Sequence, residues 1–165
     1  MKKLLLLFGI IISFTACSDD EGVPVNENKN GSLSFDSYYV DKLSTGEERK
    51  TAQSLAIIHI WNADDTDFDF EKSKNDLMSG YVYDNIEGKS LKANRTYMNK
   101  WTLSEELKPG KYVIYVNYGQ KVSSKQTEFS YSYTYFEIKK QEVTFLKKHL
   151  RKGQSYPYFV YHPWE

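Results

Sequence analysis

The chain is expected to be all-β: a single antiparallel β-sandwich of about seven to nine strands, with little or no helix. Three observations predict this. Aromatic residues are abundant, with 14 Tyr, 9 Phe and 3 Trp in 165 residues, and rings favour strands while supplying large buried area. From Ser32 onward, short alternating or apolar runs are separated by polar turn clusters. No βαβ alternation, internal repeat or glycine-rich phosphate-binding pattern interrupts them.

The elements follow in order. SLSFDSYYVDKL (32–43) reads as a first strand, ended by the polar cluster STGEER. SLAIIHIW (54–61) places Ala56, Ile58 and Ile60 on one face and Leu55, Ile57, His59 and Trp61 on the other. Apolar residues on both faces predict a central strand covered on each side. LMSGYVYDNIEGKSL (77–91) carries strand residues Tyr81 to Tyr83 and a turn at Glu87-Gly88, while 93–103 shows no clear period. Pro109-Gly110 fits the central pair of a type II turn. Alternation resumes at Tyr112, Ile114 and Val116, then in TEFSYSYTYFEI (127–138) and EVTFLKKHL (142–150). Pro157 and Pro163 limit a last strand to 158–162, and one short helix is expected near 71–78 or 103–108.

The N-terminus has a different character. MKKLLLLFGIIISFTAC begins with two lysines and continues with an apolar run from Leu4 to Phe14. That run is shorter than the roughly 20 residues needed to span a bilayer and matches the ~7–15 of a signal-peptide core. Small residues Thr15 and Ala16 precede Cys17, the one cysteine in the sequence. This order resembles the bacterial lipobox, with Phe14 standing where leucine is usual. The resemblance implies cleavage after residue 16 and lipid attachment at Cys17; plain secretion with a free thiol is the alternative.

The divisions expected are a signal peptide at 1–16, a flexible tether at 17–31 and the β-sandwich at 32–165. The tether, SDDEGVPVNENKNGS after the cysteine, is polar and lacks hydrophobic periodicity. Its opening, Ser18 followed by Asp19, Asp20 and Glu21, resembles the export signal of Bacteroidota surface lipoproteins. That implies an outer-membrane lipoprotein exposed at the cell surface, with a periplasm-facing position as the alternative. Charge is balanced, 22 basic against 22 acidic residues, without a basic run, which argues against a nucleic-acid partner.

Within the domain, LKPGKY followed by an aliphatic strand resembles prealbumin-like surface sandwiches. The longer course from SLAIIHIWNADD through NRTYMNKWTLSEELKPGKYVIYV to TEFSYSYTYFEI is similar to the C2-like third domain of calpains. Both resemblances imply a β-sandwich; neither carries a functional residue over to this chain.

Three features are candidates for function. Asp64, Asp65 and Asp67 open an acidic stretch that suits a loose inter-strand calcium site, the one cofactor considered. An EF-hand is excluded, because Phe70 occupies the position that must be glycine. The competing expectation is a charged edge strand, with Thr66, Phe68 and Phe70 inward. Tyr131, Tyr133 and Tyr135, with Phe129, form an aromatic ladder opposite Ser130, Ser132 and Thr134. The ladder is expected to face the core, the alternative being an exposed platform for a glycan or protein, together with Trp164 of the tail. Tyr156, Tyr158 and Tyr161 are a further aromatic set.

His59, His149 and His162 are too dispersed for a zinc site, and no nucleophile-elbow motif is present. The functional expectation is a lipid-anchored, non-catalytic binding or accessory module. The alternatives are a structural subunit joined through its C-terminal segment, a calcium-stabilised C2-like module, and a hydrolase with paired carboxylates.

Overall fold

The structure, a computed structural model, describes residues 29–51, 55–121, 124–151 and 163–165. The signal, Cys17 and the tether up to residue 28, the proposed strand at 158–162, and Tyr156, Tyr158, Tyr161 and His162 lie outside the described residues.

The described residues form thirteen strands: β1 (Gly31–Asp36), β2 (Tyr39–Lys42), β3 (Glu48–Thr51), β4 (Leu55–Asn62), β5 (Phe68–Asp69), β6 (Tyr81–Asp84), β7 (Lys89–Lys92), β8 (Arg95–Met98), β9 (Thr102–Leu107), β10 (Gly110–Lys121), β11 (Thr127–Ile138), β12 (Val143–Lys147) and β13 (Leu150–Arg151). The protein is all-β and sandwich-like. Strands outnumber the sequence expectation because several are only two to four residues long. The 32–43 run, for example, breaks at Ser37, whose buried hydroxyl bonds to the Lys148 carbonyl at 2.6 Å. The helix expected near 71–78 or 103–108 is reduced to a 3-10 turn at Leu77–Ser79, and Thr102–Leu107 is strand β9.

A central antiparallel sheet, β11-β10-β4-β8, organises the molecule. Its front face packs against the sheet β12-β1-β9, in which β1 and β12 run parallel, a departure from the all-antiparallel expectation. A second parallel pair joins β13 to β2 in the sheet β13-β2-β3. The back face is partly covered by a small sheet, β5-β6-β7.

Residue alternation fixes which side chain enters which layer. On β4 and β10, Ile58, Ile60, Ile114 and Val116 enter the front core, where they meet Leu33 and Phe35 of β1 and Leu103 and Leu107 of β9. The alternate residues Trp61, Val113 and Tyr115 enter a second cluster with Phe68, Phe70, Leu77 and Val82. The central strand pair is therefore buried on both sides, as the double-sided apolarity of 54–61 predicts.

The chain changes sheets between β11 and β12, and Gly31 allows it. A Cβ on Gly31 would lie 2.1 Å from the Lys139 carbonyl oxygen, while the Gln141 N–H donates to the Asn30 carbonyl at 2.9 Å. Strand β1 thus begins at Gly31, one residue before the domain start read from the sequence. A buried relay reinforces the same end of the sandwich: the Tyr118 hydroxyl donates to Ser37 Oγ, which donates to the Lys148 carbonyl.

Two predictions follow from this packing. Ile58→Ala and Ile114→Ala are each expected to cost about 2–5 kcal/mol, measured by chemical denaturation, whereas Ile86→Ala at an exposed turn stays within about 0.5 kcal/mol. Lys148 is fully buried, and desolvation holds its pKa down at about 8, below the ordinary 10.5. The folded state sheds this proton before the unfolded state does, so stability should rise as pH climbs from about 8 toward 10. Lys148→Met should abolish that rise; a variant that keeps it would contradict the assignment.

Candidate functional site

The aromatic ladder of β11 meets the sequence expectation only at Tyr131, which packs against the second core cluster; its other rings are largely exposed. Ser130, Ser132, Phe136 and Ile138 are buried, while Phe129, Tyr133 and Tyr135 are 45%, 39% and 52% exposed. The reason is the distribution of neighbours. The inward serines leave room for Trp164, whose indole Nε1 donates to Ser132 Oγ at 3.0 Å and whose ring lies 6.0 Å from that of Phe35. Trp164 therefore packs against the front core, on the far side of β11 from the tyrosines, and does not join them in one surface.

On the back face, the small sheet stops short of β11. Tyr131 stacks on Tyr115 with ring centroids 5.8 Å apart and is half-buried, and Tyr133 stacks on Phe70 at 3.7 Å. Tyr135 and Phe129 flank them at the same two-residue spacing. At ~3.3 Å per residue the strip from Phe129 to Tyr135 is about 20 Å long and one ring wide. Desolvation, then the nearby Glu71 and Asp69 charges, raise the Tyr133 pKa; desolvation, then Tyr133 and Asp67, do so for Tyr135. Both phenols stay neutral and able to donate.

The acidic stretch is used internally. Asp64 Oδ1 accepts the Lys111 N–H at 2.9 Å and its Oδ2 accepts Asn62 Nδ2 at 3.0 Å. These contacts, the backbone one first, hold the Asp64 carboxyl below its usual pKa. Asp65 is exposed and takes the left-handed backbone conformation (φ +56°) that aspartate tolerates in tight turns. Asp67 Oδ2 accepts Asn85 Nδ2 at 3.1 Å, and Asp69 Oδ1 accepts the Lys72 N–H at 2.8 Å. Asp64, Asp65 and Asp67 are not brought together as ligands: among the described residues no group of three or more His, Cys, Asp or Glu is arranged to hold a metal.

Asp64 also replaces the expected type II turn. Lys111 N–H is committed to the carboxylate, and Gly110 sits at φ +154° instead of the ~+80° of that turn. A Cβ on Gly110 would lie 2.5 Å from Asp64 Oδ2. In the back layer, Asp84 plays a similar part, its carboxylate accepting the N–H groups of Asp67, Ile86 and Glu87.

His59 is buried between the layers. Its Nε2 lies 3.3 Å from the Met78 carbonyl, which can only accept, so Nε2 carries the proton and Nδ1 accepts from the Thr96 hydroxyl at 2.9 Å. Burial lowers its pKa and keeps it neutral. His149 lies 3.5 Å from Asp36 Oδ2, far from any other histidine in sequence.

A feature that no sequence motif announces is a cleft of about 610 Å³ where the front and central sheets part. Its floor is Ile60, Leu107 and Tyr112, and its rim carries Arg95 of β8, Glu106 of β9 and Lys108. They come from β4, β8, β10 and the end of β9 with the residue after it, so no one linear motif joins them. A smaller cleft of about 310 Å³ lies on the other side of Asn62 and Asn94, lined in part by Trp61, Phe68 and Leu91.

Comparison of the chain with protein-family models, with curated proteins and with solved structures gave no match.

The Asp64 brace yields a third prediction. Gly110→Ala should lower the melting temperature, and a double-mutant cycle with Asp64→Ala should show coupling between the two positions. Additive effects would remove the brace. Added calcium should leave the melting temperature unchanged, since Asp64 and Asp67 already have protein partners.

Proposed function

We propose that this protein is a lipid-anchored cell-envelope lipoprotein whose β-domain is a non-catalytic binding module for a glycan. The observation that carries the reading is the exposed strip Phe129, Tyr133 and Tyr135 on the twelve-residue strand β11. Aromatic rings with two χ angles present rigid apolar area at low entropic cost, and neutral phenols add hydrogen bonds. A strip one ring wide and about 20 Å long suits a linear chain of sugar rings. A stable protein interface instead needs about 800 Å² on each partner. The strip is also built on a strand paired along its length to β10, which holds its geometry before any ligand arrives.

Two further features support this reading. Among the described residues the rim of the larger cleft carries one carboxylate, Glu106, whereas glycoside hydrolysis calls for two. The lipobox-like FTAC and the polar stretch after it supply an anchor and a tether. The outer-membrane, surface-exposed placement rests on Ser18 to Glu21.

The full chain, purified in detergent, should bind on a glycan array. Tyr133→Ala with Tyr135→Ala should weaken that binding at least tenfold while leaving the melting temperature within a few degrees of wild type. Unchanged affinity in the double variant would overturn the strip as the contact. Separately, metabolic labelling with a fatty acid should mark the wild type and not Cys17→Ala; equal labelling would overturn the anchor.

A further inference from the structure

We infer that the cleft between the front and central sheets is a second, separate binding site, selective for a carboxylate carried on a hydroxylated ring, the chemistry of a uronic acid.

Arg95 Nη1 donates to the Asn94 carbonyl at 3.0 Å, which anchors the guanidinium at the rim with most of its five N–H groups unused. Among the described residues neither Arg95 nor Lys108 forms an ion pair, although Glu106 lines the same cleft. Burial raises the Tyr112 pKa, a hydrogen bond from Asn62 opposes it, and of the charges that reach the hydroxyl Asp64 raises the pKa while Arg95, acting less strongly, lowers it.

Asn94 is oriented unambiguously. Its Oδ1 accepts the Asn62 N–H at 2.6 Å, so its Nδ2 is a donor left over for a ligand. Asn62 bonds to Asp64 through Nδ2 and Oδ1, and its side chain also hydrogen-bonds to the Tyr112 hydroxyl. The Tyr112 hydroxyl spends its proton on the Lys108 carbonyl at 3.0 Å.

Arg95, Lys108 and Asn94 thus offer a fork, an ammonium and an amide NH₂ as donors, the Asn30 amide brings one donor and one acceptor group, and the one charged acceptor lining the cleft among the described residues is Glu106. Such a donor excess selects a ligand rich in acceptors and negatively charged. A planar guanidinium matches a carboxylate with two parallel hydrogen bonds. Glu106 is left to accept from a hydroxyl, and the apolar floor of Ile60 and Leu107 meets the C–H face of a ring. About 610 Å³ lies within the 300–1,000 Å³ typical of small-ligand sites.

The test is calorimetric titration of the full chain in detergent with trigalacturonate, its methyl ester and inorganic sulfate. Trigalacturonate should bind, and its affinity should fall with added salt. The methyl ester, lacking the charge, should bind at least tenfold more weakly, and sulfate at equal concentration should not displace trigalacturonate. Arg95→Gln should weaken trigalacturonate at least tenfold, and Arg95→Lys, which keeps charge but loses the fork, several-fold. Arg95 is exposed, so both variants should fold, which thermal melting checks. No binding of trigalacturonate, equal binding of the ester, full competition by sulfate, or an indifferent Arg95→Gln would each overturn the inference. None of these outcomes bears on the aromatic strip, which lies on β11 and shares no residue with the cleft.

Discussion

Burial of the β4–β10 pair on both faces is the constraint from which the rest of the structure follows. One set of alternate residues, Ile58, Ile60, Ile114 and Val116, requires the front sheet; the other, Trp61, Val113 and Tyr115, requires the back one. Each such side chain removed from water contributes roughly 1.5–3 kcal/mol, so neither cover is dispensable. The two-layer sandwich becomes three layers wherever the second set is apolar. The back sheet is small and packs on Trp61, Val113 and Tyr115, which span only a few residues of each strand.

That limited reach positions the proposed contact surface. Beyond Tyr115 the next strand outward is β11, and the back layer touches it mainly through Phe70 on Tyr133. Phe129 and Tyr135 face solvent and Tyr131 is half-buried against Tyr115, while the serines between them face Trp164 and the front core. At the opposite edge of the central sheet, β8 is only four residues long, and Arg95 pairs with Ile60 where the front sheet turns away. The cleft opens there. Both candidate sites are thus consequences of where the covering layers end, one at each edge of the central sheet.

Much of the frame was legible in the sequence. The two apolar faces of 54–61 announced a doubly covered strand, and the alternation after Gly110 announced its partner. The acidic stretch was legible only in part. Phe68 and Phe70 face inward as a two-residue period requires, but the tasks of the carboxylates depend on Lys111 and Asn85, which only the fold brings near. Which face of the β11 ladder lies inward was not legible for a related reason. Side-chain size pointed to tyrosine as the buried face, whereas the inward space is filled from 32 residues away by Trp164, so serine fits better there. The cleft was not legible at all, because Asn94, Glu106 and Lys108 belong to different strands and loops and acquire a common purpose only through the parting of two sheets.

Native-state hydrogen exchange on the full chain tests the doubly covered central sheet most directly. The amides of β4 and β10 should exchange last and with one common free energy, that of global unfolding, while β3 and β7, whose residues are largely exposed, open earlier. Exchange of β4 and β10 as early as that of β3 and β7 would contradict it.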